Sequence, residues 1–294
     1  MRRDMEKIIF ALPGNEALAE KLCNLTGIEQ GQLELRHFPD GESLVKLLSS
    51  VENKSALLIC SLTQPDTRSL PLYFLGRLCK DLGAREVVLV APYLGYMRQD
   101  IRFHPGEAVT ASYFAEFISG FVDRLITVDP HLHRNKELSD IYSVPGLAIQ
   151  AAPAVASWIK TNIRQPLILG PDIESKQWVS EVASDAQAPY EVLQKSRRGD
   201  RQVEMVLPDL NAYAGRTPVL VDDIISTGTT MKTAAGLLEF LGFKKPVCIG
   251  VHAVFSESAY ASMMNSYVGN IVTTNTIAHE SNQIDVAPLI AVHL

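Results

Sequence analysis

The 294 residues carry 27 Lys plus Arg against 33 Asp plus Glu, a formal charge of −6, with 47% hydrophobic and 20% charged residues. That much apolar material excludes intrinsic disorder as a description of the whole chain, and a net acidic chain lacks the broad positive field of a general nucleic-acid binder. The apolar run Ile8–Leu12 is too short for a signal peptide and no run reaches the roughly 18 residues of a membrane span, so no membrane association is expected and the chain reads as cytoplasmic.

At roughly 100–200 residues per domain, the length fits two domains. In chain order, Lys7–Leu12 predicts a strand, Asn15–Leu25 a helix, Ala56–Ser61 a strand, Leu70–Leu82 a helix, Glu86–Pro92 a strand, Thr110–Ile118 a helix and Arg124–Val128 a strand. Further strands are expected at Pro166–Leu169, Pro218–Val221 and Pro246–Val251. Several of these runs are almost wholly apolar, as parallel strands covered on both faces must be. The class is therefore α/β, with parallel sheets flanked by helices. Cys23, Cys60, Cys79 and Cys248 form no C-x-x-C pair and sit in apolar stretches, so they read as buried reduced thiols rather than a disulfide framework or zinc site.

The two halves echo each other. Leu57 to Val90 runs strand, polar loop, helix, Leu82-Gly83, strand; Val219 to Val251 runs strand, polar loop, helix, Leu241-Gly242, strand. Each glycine stands where a helix end calls for left-handed dihedrals. The echo fits either duplication of one domain or chance similarity of two common βαβ units; in both cases two domains are expected, 1–147 and 148–294, divided near Pro145-Gly146. Their loops differ, and open parallel sheets bind ligands beyond the carboxyl ends of their strands. The first loop is Thr63-Gln64-Pro65-Asp66-Thr67-Arg68 and the second Asp222-Asp223-Ile224-Ile225-Ser226-Thr227-Gly228-Thr229-Thr230.

In the second loop an apolar strand delivers two carboxylates, and small residues lead into a helix beginning near Thr230. Ser226 to Thr230 can present backbone N–H groups and hydroxyls at a helix N-terminus, which suits a phosphate monoester. The adjacent carboxylates would repel that phosphate unless they accepted hydrogen bonds from sugar hydroxyls or held magnesium. The segment thus suggests a sugar phosphate, against the plainer reading of a capped polar turn. No G-x-x-x-x-G-K-[ST] loop occurs.

Val221–Thr230 resembles the loop shared by phosphoribosyltransferases and ribose-phosphate diphosphokinases. Phe38-Pro39-Asp40-Gly41-Glu42, Tyr93–Asp100 with Arg98-Gln99-Asp100, Pro105–Thr110 and Thr127-Val128-Asp129-Pro130-His131 are similar to segments of the diphosphokinases alone. The variants Val128-Asp129-Pro130-His131-Leu132-His133 and Asp222–Gly228 look closer to the archaeal-type branch. The resemblance runs from about Phe10 to about Leu289 and implies two phosphoribosyltransferase-like domains. It implies a Mg2+-dependent reaction of ATP with ribose 5-phosphate, giving 5-phosphoribosyl 1-diphosphate and AMP. ATP would be held by Phe38, Asp40, Gly41, Glu42, Arg98, Gln99, Asp100 and His131, the first four across a subunit contact in a homo-oligomer of at least two copies. The sugar phosphate would be held by Arg197, Asp222, Asp223, Ser226, Thr227, Gly228, Thr229 and Thr230, and magnesium by His131 and Asp172. Lys195, Arg197 and His131 are the implied catalytic residues, with Gln194–Arg198 opening a mobile loop.

Some positions depart from the family pattern. Ile173-Glu174-Ser175-Lys176-Gln177-Trp178 stands where small residues are usual, Ser226 where the bacterial branch has Asp, and Thr229 where Gly is frequent. Two alternatives remain at this level, a phosphoribosyltransferase and a weakly active or non-catalytic regulatory paralogue. The first has no need for Phe38–Glu42, Arg98–Asp100 or His131, and the second is expected to lose Lys195, Arg197, His131 or Asp172, all of which are present.

Overall fold

The computed structural model describes residues 5–132, 134–198, 202–206 and 208–294, so His133 lies outside the described residues. The chain divides into two units, one running to Ile149 and joined by Ala287–Leu294, the other Gln150–Val286. Unit 1 contains β1 (Lys7–Ala11), α1 (Glu16–Thr26), β2 (Glu29–Gln30), β3 (Leu33–His37), β4 (Ser43–Leu47), β5 (Ser55–Ile59), α2 (Pro65–Asp81), β6 (Glu86–Ala91), α3 (Thr110–Ser119), β7 (Arg124–Val128) and β8 (Gly146–Ile149). The chain then passes through α4 (Ala152–Asn162), β9 (Pro166–Gly170), α5 (Lys176–Ala186), β10 (Tyr190–Val192), β11 (Gln194–Arg198), β12 (Gln202–Val206), β13 (Thr217–Ile225), α6 (Thr229–Phe240), β14 (Val247–Ala253), α7 (Ala259–Met264), β15 (Asn270–Thr274), β16 (Asn282–Ile284) and α8 (Ala287–Ala291).

Both sheets are six-stranded and parallel throughout, ordered β2-β1-β5-β6-β7-β8 and β10-β9-β13-β14-β15-β16. Counted within each unit and setting the hairpins aside, both orders read 2-1-3-4-5-6, the doubly wound order that switches direction between its first and third strands. The apolar runs make the cores. Every residue of β5 is buried, and Leu57 registers between Ile9 and Val88. Gly83 and Gly242 close α2 and α6 at φ +85° and +80°, the left-handed values their positions call for.

Two antiparallel hairpins stand outside the sheets, β3-β4 and β11-β12. They fill the same slot of the two repeats, between the second and third sheet strands. The segment expected to be a loop at Gln194–Arg198 is therefore the first strand of a hairpin. Two other elements run longer than their sequence patterns. α2 starts at Pro65, not Leu70, because proline at the first helical position gives up only an N–H that has no helical acceptor. β13 continues past Val221 to Ile225, pairing Asp222 with Gly250 and Ile225 with Ala253, so the acidic pair lies within the strand.

The division of the chain also differs from a single cut at 147/148. α4 follows the last strand of unit 1 but packs on α5 in unit 2, and α8 follows the last strand of unit 2 but packs on α1 in unit 1. Residues 287–294 thus belong to the first body, where Ala287 and Ile290 are buried and Lys7 Nζ donates to the Leu294 carbonyl at 2.8 Å. No helix among the described residues is long and apolar enough to cross a membrane.

Gly76 in α2 tests this packing. A Cβ there would lie 2.6 Å from the Phe121 ring, and that ring is fully buried, with Tyr73 at 5.3 Å and Phe117 at 5.4 Å between centroids. Alanine gains about 1 kcal/mol of helix propensity, but overpacking costs about 1–3 kcal/mol. G76A is expected to lower the urea midpoint; a rise would show that the ring has room to move.

Candidate functional site

In unit 2 the polar groups gather at the switch between β9 and β13. Asp172 follows β9, caps a short 3-10 turn (Ile173–Ser175) and accepts the Ser175 N–H at 3.3 Å, while Ser175 Oγ donates to the Asp172 carbonyl at 2.6 Å. Asp222 and Asp223 come from the neighbouring strand, and Asp222 accepts the Asp223 N–H at 3.0 Å. Burial, then the carboxylates of Asp223 and Asp172, push the Asp222 carboxyl well above the usual carboxylate range. Three acidic groups thus share one field, which a bound hydroxyl donor or cation would relieve.

The chain then turns into α6 through Gly228 at φ +67°. Thr227 and Thr229 are exposed, Ser226 and Thr230 half-buried. The Thr227 and Thr229 hydroxyls lie 3.1 Å apart and the Thr229 N–H reaches Thr227 Oγ1 at 3.4 Å. Thr229 therefore engages its neighbour's hydroxyl instead of crowding the core. The remaining N–H groups at the start of this 12-residue helix face a site suited to an anion. The loop is held from the far side by the next connection. The Ser256 N–H donates to the Ser226 carbonyl at 3.4 Å, Lys232 Nζ to Ser262 Oγ at 2.9 Å, and the buried Met263 fills the space a side chain at Gly228 would need.

The hairpin β11-β12 places Lys195 opposite Met205, Ser196 opposite Glu204 and Arg197 opposite Val203. The Ile173–Trp178 departure is taken up as the 3-10 turn and the first residues of α5, with Ile173 exposed. Ser175 and Val179 pack where a side chain at Gly170 would fall.

The equivalent switch in unit 1, between β1 and β5, is cross-tied by the protein's own side chains and keeps a small cavity bordered by Leu12, Pro13, Gln64, Thr67 and Arg68. The buried Asn15 accepts the Ser61 N–H at 2.8 Å and donates to the Leu12 carbonyl at 3.1 Å, and Arg68 donates to the Pro13 carbonyl at 2.7 Å. Gln64 leads into α2 at φ +47°, as Gly228 leads into α6. The turn is the same, but its surroundings are tied by Asn15 and Arg68.

The unit 1 candidates lie after β6 and β7, and on the tip of the first hairpin. At the tip, the Phe38 N–H donates to the Glu42 carbonyl at 2.8 Å, the Glu42 N–H to Asp40 Oδ1 at 3.1 Å, and Gly41 sits at φ +92°. Phe38 is 40% exposed beneath the Arg36 guanidinium, 4.7 Å from its ring centroid. The hydrogen bonds of Phe38–Glu42 stay within the tip.

After β6, Tyr96 is held at φ +60°, its hydroxyl donating to Asp66 and its ring 4.7 Å from Phe114. Arg98 is exposed and Gln99 half-buried, whereas the Asp100 side chain is only 6% exposed and ion-paired with Arg134 at 2.7 Å. Glu107 closes the loop, accepting the N–H groups of Phe103 at 2.9 Å and His104 at 3.0 Å, the His104 ring at 2.7 Å and Gln99 Nε2 at 3.4 Å. The His104 ring and these N–H donors hold its carboxyl below the usual range. His131, half-buried, follows the adjacent strand β7 by way of Asp129 at φ +35°. Arg98–Asp100 and His131 therefore share one end of unit 1.

Among the described residues no three His, Cys, Asp or Glu side chains form a ready metal cage. Sequence patterns did not mark Arg134, Met263 or the Tyr96–Asp66 bond, because each acts through a partner distant in the chain.

The Gly228 turn is directly testable. G228A adds a left-handed penalty of roughly 1–2 kcal/mol to the overlap with Met263. It should unfold at lower urea than the parent, and G228A/M263A should regain part of the loss. A G228A chain as stable as the parent would disprove this turn.

The comparisons with known proteins agree with this arrangement. Residues 7–121 match the N-terminal domain of ribose phosphate pyrophosphokinase, and residues 137–288 the phosphoribosyl transferase domain. The ribose-phosphate pyrophosphokinase of Methanothermobacter thermautotrophicus is 33% identical over 97% of this chain and 98% of its own. That of Sulfurisphaera tokodaii is 31% identical over 97% of this chain and 99% of its own. The crystal structure of phosphoribosylpyrophosphate synthetase from Mycobacterium smegmatis shares the fold, with a TM-score of 0.85 and 22% identity over 98% of this chain and 97% of that one. Two units of one topology and full-length likeness to these proteins place the chain in the ribose-phosphate pyrophosphokinase family.

Proposed function

We propose that the chain transfers the diphosphoryl group of ATP to the 1-hydroxyl of ribose 5-phosphate, releasing AMP and 5-phosphoribosyl 1-diphosphate. The observation that carries this reading is in unit 2, an acidic pair near the carboxyl end of β13 that leads to a Gly-turned helix N-terminus. Asp222, with Asp223 in support, accepts hydrogen bonds from the ribose hydroxyls. Ser226, Thr227, Gly228, Thr229 and Thr230 hold the 5-phosphate through N–H groups and hydroxyls. On the ATP side, Arg98 and Gln99 bind the nucleotide, Asp100 supports them, and His131 orients the phosphates. Phe38, Asp40, Gly41 and Glu42 receive the base of an ATP bound by a neighbouring copy, which accounts for an exposed aromatic on a well-formed turn.

The residues fit Mg2+, which keeps several waters and takes one or two protein carboxylates together with substrate phosphates. Asp172 lies in the shared field of Asp222 and Asp223, where a cation offsets the crowded negative charge. Asp172 would hold it, and when bound it would neutralise charge on the transferring phosphates. The anomeric oxygen attacks the β-phosphorus in line, the bond from that phosphorus to the α-phosphate bridge oxygen breaks, and the hydroxyl proton is lost to solvent or base. Lys195 and Arg197, on β11, stabilise the charge that spreads over the transferring group and exclude water from it. Four cysteines without disulfides, three of them buried, agree with a reducing cytoplasm.

Phosphorus NMR of the purified chain with ATP, Mg2+ and ribose 5-phosphate should show AMP and the anomeric diphosphate in equal amounts; their absence would sink the reading. K195A should lower kcat by about 10²–10³-fold, the loss typical of a transition-state contact, with KM nearly unchanged. A kcat within a few-fold of the parent would remove Lys195 from catalysis. Sedimentation at assay concentration should find a homo-oligomer, at least a dimer; an active monomer would contradict the role given to Phe38–Glu42.

A further inference from the structure

We propose that the Arg134–Asp100 ion pair is a positioning clamp for ATP: it holds the loops after β6 and β7 in register, and neither residue touches the nucleotide. The inference rests on the reading of Arg98, Gln99 and His131 as ATP contacts, and extends it to Arg134, which no motif marks.

Residues 92–109, between β6 and α3, form no strand or helix. A connection of that length holds one shape only where internal ties impose it. Glu107 supplies the ties at residues 99–107, and the Ala111 N–H donates to the Gln99 carbonyl at 3.2 Å. None of these fixes the loop to its neighbour after β7. Arg134 does: its Nη1 meets Asp100 Oδ1 at 2.7 Å, and its guanidinium lies 5.6 Å from the Phe103 ring centroid.

The asymmetry of the pair explains its effect. The Asp100 side chain is 6% exposed and that of Arg134 51% exposed. A carboxylate so removed from water is costly unless paired, so the backbone at 98–100 is fixed wherever Asp100 can reach its arginine. Arg98 is two residues before one end of the clamp and His131 three residues before the other. The pair therefore sets the spacing between the two ATP-side groups, and its buried carboxylate is already committed to Arg134.

Steady-state kinetics of the full chain with Mg2+ test this, using R134Q, D100N, the double variant, R134K and, as a check on the underlying reading, R98A. R134Q and D100N should each raise KM for ATP about tenfold, equivalent to 1.4 kcal/mol. KM for ribose 5-phosphate should stay within about twofold, and the double variant should be no worse than either single one, since both remove the same interaction. R134K should recover part of the loss. An effect of R134Q without one of D100N would mean that the arginine touches ATP itself, overturning the clamp. If R98A raises KM for ATP and neither clamp variant does, the clamp fails while the ATP reading stands. If R98A leaves KM unchanged, the reading of the segment fails and the clamp falls with it. Should D100N not fold, R134Q at its exposed position decides the matter by trypsin digestion without nucleotide. Faster cleavage at Arg98 and Arg102 supports the clamp, and cleavage at the parent rate overturns it.

Discussion

Parallel strands covered on both faces expose no side chains along their length, so polar chemistry is displaced to their carboxyl ends. That constraint organises both units. β5 is buried end to end, and Leu125–Val128 and Val219–Val221 are buried as well. Asp172, Asp222, Ser226 and His131 then appear within a few residues of where those apolar runs cease. Where a parallel sheet reverses its order, the connections leave on opposite faces and a crevice opens. In unit 2 that crevice is lined by three carboxylates and a helix N-terminus.

Unit 1 shows the same architecture with different residues at the crevice. Its turn into α2 keeps the left-handed dihedrals of the turn into α6, but Asn15 and Arg68 satisfy the surrounding carbonyls and N–H groups. The equivalent hairpins have likewise diverged. One ends in an arginine stacked on an exposed phenylalanine, and the other carries Lys195 and Arg197. The two repeats thus carry different side chains in the same slot.

The inner strands β1, β5, β6, β7, β9, β13 and β14 were legible because they are short apolar runs with few competing readings, whereas β2, β8, β10, β15 and β16 were not expected. The boundary glycines and the Asp222–Thr230 loop were legible because backbone geometry restricts what those positions accept. The start of α2 was hidden, since Pro65-Asp66-Thr67-Arg68-Ser69 has loop composition and only its place behind Gln64 makes it helical. Both hairpins escaped as well. β3 is mostly exposed and β11 reads Gln-Lys-Ser-Arg-Arg, so neither carries an apolar period to detect. The candidate site residues could be named in sequence, but their pairing could not. Nothing local distinguishes Arg134 from a solvated charge, and its partner lies 34 positions earlier. The destination of α4 and α8 was equally invisible, because a short helix does not state which body it will cover.

That last feature has a consequence for biosynthesis. Unit 1 takes the helix that covers α1 from beyond the far end of unit 2, whereas α4, which covers α5, opens unit 2's own segment. Residues 287–294 are translated after all of unit 2, so during elongation the face of α1 that α8 covers waits, unsealed, until unit 2 has been made. Unit 2 has no such delay, because α4 is made just before the strands it serves. The second body can thus close in the order in which it emerges. The first is held incomplete until then, with the face of α1 that α8 covers left exposed to solvent.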